Sequence, residues 1–411
     1  MSLVKSPKDI VEEAEASGSA GLLSRHDSWG RVEIGNVATI QNGAPFASTS
    51  FNTNRSGFPI IRIRDVGKNE ISTWFDGEYS DDFIVRHGDL LIGMDGDFRS
   101  SRWLGEPALL NQRVCRLIVS DSRIGQAFIE FALPAYLDAI ADETSSITVK
   151  HLSSKSIQQI PLPLPPLAEQ ERIVEILEEQ FSRLDSALAS IKAVREKAKA
   201  FRRSLLHSAF SGELTGGTEG WREVRLGEVA DVLDSKRKPV NSKERAGRAG
   251  SVPYYGATGQ VGTIDTHLFD EELVLLGEDG APFLDLAKPK AYLISGKSWV
   301  NNHAHVLRCR EGTYTNTLLV HFLNDLNYLP YVNGTTRLKL TQGSMNEIPV
   351  TVPPLAEQER IVSLLEEQFS RLDKALEVAN QLEARIASER RSLLHAAFTG
   401  ELTSQWRKTH V

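Results

Sequence analysis

Cysteine is almost missing from this chain: Cys115 and Cys309 are the only two in 411 residues. They fall in different halves and offer no disulfide framework, which fits a cytoplasmic protein. No apolar run approaches the ~20 residues that span a bilayer. Residues 1–28 hold no apolar signal core. Positive charge is not in excess either. Against 54 acidic residues stand 47 Lys and Arg, a net charge of −7 with pI near 5.9, which excludes a nonspecific polycation. Any nucleic-acid contact must therefore rest on a local concentration of cations.

The longest absence is of helix breakers. Between Pro166 and Gly212 there is no proline and no glycine, and Ala, Leu, Glu, Lys and Arg dominate. The same stretch returns 188 positions later without a gap: Pro165-Pro166-Leu167-Ala168-Glu169-Gln170-Glu171-Arg172-Ile173-Val174 becomes Pro353-Pro354-Leu355-Ala356-Glu357-Gln358-Glu359-Arg360-Ile361-Val362. Gly212-Glu213-Leu214-Thr215 becomes Gly400-Glu401-Leu402-Thr403. The paired prolines stand where a helix tolerates them, at its start. Each copy predicts one helix roughly 60–65 Å long at about 1.5 Å per residue.

Apolar residues then step by fours and threes, as in a coiled-coil seam. The first copy gives Leu177, Phe181, Leu184, Leu188, Ile191, Val194, Ala198, Phe201 and Leu205. The second gives Leu365, Phe369, Leu372, Leu376, Ala379, Leu382, Ile386, then Glu389 and Leu393. Both slip phase at Val194 and Leu382, so the two helices are expected to pair with each other, antiparallel, the pairing carried by the first four of each set. The charged faces, including Glu169, Glu171 and Arg172, read as solvated. Glu178, Glu179, Glu366 and Glu367 form an outward face, present in both copies, that could dock two copies of one partner.

Two non-helical regions remain, and their frames repeat as well. Trp29-Gly30-Arg31-Val32-Glu33 lines up with Trp221-Arg222-Glu223-Val224-Arg225, and Phe58-Pro59-Ile60-Ile61 with Val252-Pro253-Tyr254-Tyr255. Asp95-Gly96 lines up with Asp279-Gly280, Asn111-Gln112-Arg113 with Asn301-Asn302-His303, and Lys150-His151-Leu152 with Leu338-Lys339-Leu340. Short β-branched runs punctuated by Gly and Asn predict irregular, mostly-β domains. The fold class expected is α+β with a pseudo-twofold arrangement. Its order is a tether (1–28, with Ser17–Gly21 as a flexible stretch), a mostly-β domain (29–160), a helical spacer (161–215), a second mostly-β domain (221–348), a second spacer (349–403) and a tail (404–411).

A local basic patch does exist. Lys236, Arg237, Lys238, Lys243, Arg245 and Arg248 are six cations in thirteen residues, with Tyr254 and Tyr255 shortly after them. Cations beside aromatics and glycines suit phosphate and base contacts. In the first domain the counterparts are Arg55, Arg62, Arg64, Arg99 and Arg102, with Arg62 and Arg64 expected on one face of a strand. Arg113, Lys150, His303, Arg337 and Lys339 complete the candidate DNA-contact set.

Catalytic motifs fare poorly. Gly296-Lys297-Ser298 resembles the end of a phosphate-binding loop, but the next residues, Trp299 to Val306, read as a strand where a helix is required. His303 and His305 share a strand face without a third ligand cluster, so no metal site is expected. Asp279, Asp285 and Lys288 suggest a nuclease only superficially. No Asn-Pro-Pro-aromatic motif is present. The chain is expected to hold no cofactor and to be no enzyme by itself.

The doubled Pro-Pro-Leu-Ala-Glu-Gln-Glu-Arg-Ile-Val entry and the doubled Gly-Glu-Leu-Thr exit closely resemble the specificity subunit of type I restriction–modification systems. The resemblance covers nearly all of the chain from Trp29 onward. It implies that 29–160 and 221–348 are target recognition domains, each reading one half of a bipartite, asymmetric double-stranded DNA site. It implies a helical spacer that sets the gap and docks two modification subunits. S-adenosylmethionine, ATP and Mg would belong to modification and restriction subunits. The chain departs from the family's minimal pattern in its tethered N-terminus, a segment expected to meet the C-terminal tail after Thr403, where Gln405-Trp406-Arg407 follows. Two competing readings are a coiled-coil adaptor that binds proteins and a nucleotide-using enzyme acting through Lys297.

Overall fold

A computed structural model of the chain describes residues 5–68, 70–143, 151–285 and 288–410. The chain forms two compact units, residues 1–189 with 383–411, and residues 190–382. The two long helices run Leu167–Phe210 and Leu355–Phe398. Each therefore gives one half to each unit. Among the described residues no helix is long and apolar enough to cross a membrane.

The first unit is built on a four-stranded antiparallel sheet in the order Ala38–Asn42, Val114–Val119, Leu90–Gly93, Ser100–Arg102. Its strand Leu90–Gly93 is buried throughout, which explains the unbroken apolar run. A second sheet carries Phe58–Ile61 parallel to Ala108–Leu110. The helix Gln126–Glu143 covers the first sheet with Phe128, Ile129, Leu133 and Leu137. A two-stranded ribbon, Gly30–Glu33 against Pro161–Leu164, brings the start of the domain to the entry of the first long helix.

The second unit repeats this plan. Its first sheet runs Ala230–Val232, Ala304–Cys309, Leu273–Gly277, Ala291–Ile294. The strand Val252–Gly256 lies parallel to Lys297–Val300, the helix Asn316–Asp325 packs on the sheet, and Arg222–Arg225 pairs with Pro349–Val352. The α+β character expected from the repeats is thus present twice.

Within each unit the helix halves run antiparallel. In the first, Asp185 pairs with Arg390, and Leu177 and Phe181 pack with Leu393, Leu394 and Phe398. In the second, Arg195 donates to Asn380, Arg202 pairs with Asp373 at 2.6 Å, and Leu206 packs with Leu365 and Phe369. Of the expected pairing residues, Leu177, Leu365 and Phe369 are buried, while Phe181, Leu184, Leu188, Leu372 and Leu376 are half-buried. Past the phase slip the expected seam holds only in part: Ala198 and Ile386 are buried, whereas Val194, Phe201 and Leu382 are 45–47% exposed, and Glu389 is exposed. An α-helix drifts about 20° per heptad against a 3.5-residue seam, and Leu206 and Ala209, outside the expected set, take buried positions beyond it. Leu177→Ala and Leu365→Ala, both at fully buried sites, are expected to destabilise the chain by about 2–5 kcal/mol each. Val194→Ala should change a thermal melt little.

The doubled motifs act as clasps. Glu169, expected to be solvated, is 1% exposed. Its carboxylate accepts from the Trp29 indole at 3.1 Å, the Thr403 hydroxyl at 2.7 Å and the Arg407 guanidinium at 2.7 and 2.9 Å. In the second unit Glu357 accepts from the Trp221 indole at 2.9 Å and the Thr215 hydroxyl at 2.5 Å. The exit threonine of each repeat thus closes on the entry glutamate of the other. The adjacent glutamines are buried too. Gln170 donates to the carbonyls of Arg123 and Pro165, and Gln358 to those of Thr313 and Pro353. The exit glycines, Gly212 at φ +81 and Gly400 at φ +77, stop the helices in the left-handed conformation. A Cβ on Gly400 would sit 2.5 Å from Arg407 Nη2.

The N-terminal segment is folded from residue 5 onward. The helix Pro7–Ala16 buries Val11, and Leu23 is buried just past the stretch expected to be flexible. Arg407 donates to His26 Nε2 at 3.0 Å, so the segment does meet the tail.

Candidate nucleic-acid interface

The site begins where the buried central strand of each unit ends. After Leu90–Gly93 comes Met94-Asp95-Gly96, and after Leu273–Gly277 comes Glu278-Asp279-Gly280. Gly96 and Gly280 take φ of +73 and +71, which turns the chain just beyond the aspartate. Backbone hydrogen bonds fix both loops in the same way. Met94 N–H donates to Arg113 O and accepts Leu152 N–H on its carbonyl; Glu278 does so with His303 and Leu340.

Each aspartate then gathers an arginine and a histidine. Asp95 accepts from Arg113 at 2.9 Å and lies 2.7 Å from His151 Nδ1. Asp279 lies 2.6 Å from His303 Nδ1 and accepts from Arg337 at 2.8 Å. The carboxylates are 21–22% exposed, whereas Arg113 and Arg337 are 66% and 61% exposed. Arginines held outward around a shielded carboxylate are placed to contact a nucleic acid.

Beneath the second loop lies a denser network. Arg237 reaches Asp234 at 3.1 Å and Glu278 at 2.7 Å, and Lys339 reaches Glu278 at 3.0 Å. Burial disfavours the charged Glu278, but the Arg237 and Lys339 bonds outweigh it and hold its carboxyl below the ordinary value. Asp234, Glu278 and His305 bring possible metal-ligand atoms within 4.8 Å of one another, yet Arg237 already supplies the cation there. His305 is spent between Asp234 and the Leu340 carbonyl.

Several expected contact residues are placed otherwise. Arg237 is a half-buried structural cation, its side chain 13% exposed, not a free member of the basic run. Tyr254 is 1% exposed, its hydroxyl bonded to the backbone of Val240. Arg62 and Arg64 do not share a strand. The strand ends at Ile61, because the Asp65 carboxylate accepts Arg62 N–H at 2.8 Å and turns Ile63–Asp65 into a single helical turn. Arg62 lies over Phe51 and Arg64 donates to Ser72 and Thr73. Arg102 is tied to Glu130 at 2.7 Å. Lys150 lies outside the described residues.

The others remain at the surface. Lys236, Lys238 and Lys243 are exposed; Arg245 lies over Tyr254, and Arg248 over Trp299 with Asp265 as its ion pair. Tyr255 packs against Tyr292. Arg55 holds φ +67 over Trp74. Arg64 and Arg99, with Lys68, line a cleft of about 420 Å³ that runs along the Asp95-Gly96 loop. Asp95, His151 and Lys68 escaped sequence reasoning, and Asp279 entered it only as a superficial nuclease residue, although the repeated Asp-Gly pair was a signal for both aspartates. Gly296 turns into the strand Lys297–Val300, so the phosphate-loop likeness has no helix to open. Burial pushes the thiols of Cys115 and Cys309 up to about 12, which leaves them unreactive.

The family described as type I restriction modification DNA specificity domain matches residues 26–195 and again 218–387. The EcoBI type I restriction enzyme specificity subunit of Escherichia coli is 31% identical over 99% of this chain and 92% of its own. The EcoKI specificity subunit of Escherichia coli strain K12 is 24% identical over 95% and 92%. A solved chain from work on complex assembly and conformational transition of the type I R-M system covers 92% of this chain and 99% of its own, with TM-score 0.67 and 18% identity, a likeness of fold. With both halves matched and a relative aligned along nearly the full length, the chain belongs to the type I restriction–modification DNA specificity family.

Proposed function

We propose that this chain is the DNA-recognition subunit of a type I restriction–modification complex, without catalysis of its own. Residues 29–160 and 221–348 are its target recognition domains, and each reads one half of a bipartite double-stranded site. The observation that carries this reading is one frame used twice, ending in the same cation-bearing Asp-Gly loop, with different cations and surrounding loops in each copy. Two readers of unlike half-sites need that combination of shared scaffold and divergent contact groups.

The helical spacers 161–215 and 349–403 fix the distance between half-sites and dock two modification subunits. In support, Glu178, Glu179, Glu366 and Glu367 are exposed. So are the apolar side chains Val194, Phe201, Val378 and Leu382, which a folded helix leaves in water at a cost unless a partner covers them. Those modification subunits carry S-adenosylmethionine, and restriction subunits carry ATP and Mg, all in the cytoplasm. Purified with modification subunits, the chain should direct adenine methylation to a two-part site. Methyl transfer by the chain alone, or no DNA affinity in the presence of its partners, would contradict the reading; the second result would favour a protein adaptor.

The exposed basic loop gives a separate expectation. Changing Lys236, Lys238 and Lys243 to alanine should flatten the slope of log affinity against log salt by about 2.7 if all three meet phosphates, with the preferred sequence retained. Arg237→Ala should instead lower the melting temperature, since it strips Asp234 and Glu278 of a shared partner.

A further inference from the structure

We propose that Asp95 and Asp279 are paired positioning residues for DNA readout, one per half-site. This rests on the reading of the two domains as DNA readers. Neither aspartate is free to move. Each is flanked by a residue bonded through its backbone to two neighbouring segments, and each is followed by a left-handed glycine. Each is mostly shielded and holds a more exposed basic side chain in front of it: Arg113 on Asp95, Arg337 and the His303 imidazole on Asp279.

An exposed arginine alone samples many rotamers, which makes it a poor sequence reader. A carboxylate fixed behind it leaves the outward edge of the guanidinium free and aims that edge. A guanidinium aimed in this way can take a guanine edge bidentately, whereas a free one serves mainly as charge. The carboxylate itself would repel phosphate, so its place beside the cations suits base edges better than backbone. The same geometry recurs at equivalent positions with different hydrogen-bonding side chains, Arg113 in one domain and His303 in the other. A shared holder with exchanged contact groups is the arrangement expected of a position that determines specificity.

The test uses the full chain assembled with its modification subunits. Binding is read on duplex pools randomised in one half-site at a time, for Asp95→Asn, Asp279→Asn, and the exposed-cation variants Arg113→Gln and Arg337→Gln. The chain with residues 221–348 exchanged serves as control and identifies which half each domain reads. Asp95→Asn and Arg113→Gln should each reduce the preference within the first domain's half by roughly tenfold at one or two base pairs and leave the other half unchanged. Asp279→Asn and Arg337→Gln should do the converse. Should an aspartate variant fail to fold, the arginine variant in the same cluster decides for that half. Unchanged half-site preference in all four variants, while the domain exchange still shifts one half, overturns the positioning role and leaves the reading of the domains intact. A domain exchange that shifts neither half or both overturns that reading instead.

Discussion

Glu169→Ala is expected to destabilise the first unit by about 3 kcal/mol, the range for removing one partner of a buried ion pair. The substitution leaves Arg407, 17% exposed, without its carboxylate and strips hydrogen bonds from the Trp29 indole and Thr403 hydroxyl. In a unit of this size the loss corresponds to a fall in melting temperature of roughly 6–12 °C, measurable by calorimetry. The repeat supplies its own comparison. Glu357 holds Trp221 and Thr215 but receives no arginine in the described contacts, so Glu357→Ala should cost less. Glu178→Ala, on the solvated face, should cost almost nothing. Equal losses from Glu169→Ala and Glu178→Ala would contradict the clasp.

A chain cut after Thr215 is expected to dimerise. The first unit is completed by residues from the second repeat: Leu393, Leu394, Ala397 and Phe398 in its core, Arg390 on Asp185 and Thr403 on Glu169. In the half-length chain those positions are filled by near copies from its own first helix. Leu205, Leu206, Ala209, Phe210, Arg202 and Thr215 stand at the corresponding places. A second copy can therefore supply every one of these groups and turn the intramolecular pairing into a symmetric one. Only Arg407 and its contact with His26 have no substitute. Sedimentation should give a dimer at micromolar concentration, weakened by Thr215→Ala. With modification subunits, that dimer should select an interrupted palindrome built from the first half-site. A monomer with an intact melt would show that the helix halves do not exchange.

The scaffold was largely legible because it is local and repeated. Helix entry, phase and exit are short-range patterns, and buried strands such as Leu90–Gly93 announce themselves as apolar runs. The clasp was not legible, because Glu169 and Thr403 lie 234 positions apart and a glutamate in a charged helix looks solvated. From Val194 onward the seam was only partly legible: Ala198 and Ile386 keep the expected burial, but Val194, Phe201 and Leu382 turn outward as the helix drifts out of the 3.5-residue phase. In the site, composition located the basic run 236–248 but could not separate Arg237 from its neighbours. The half-buried, doubly paired state of that one cation depends on Asp234 and Glu278 meeting beneath it, a tertiary event. Arg62 and Arg64 failed for a local reason, the Asp65 carboxylate that ends the strand. The aspartates at 95 and 279 were visible as a repeated Asp-Gly, yet only the fold shows which cations they hold.

Two separable readers on one frame should leave their mark in the methylated site, and mapping that site tests them most directly. The complex carrying this chain and the complex carrying it with residues 221–348 exchanged for those of another family member would each be sequenced for adenine methylation. The account predicts a bipartite site in both, with the first half and the spacer unchanged and only the second half altered. A change in both halves, or a site that is not bipartite, would contradict it.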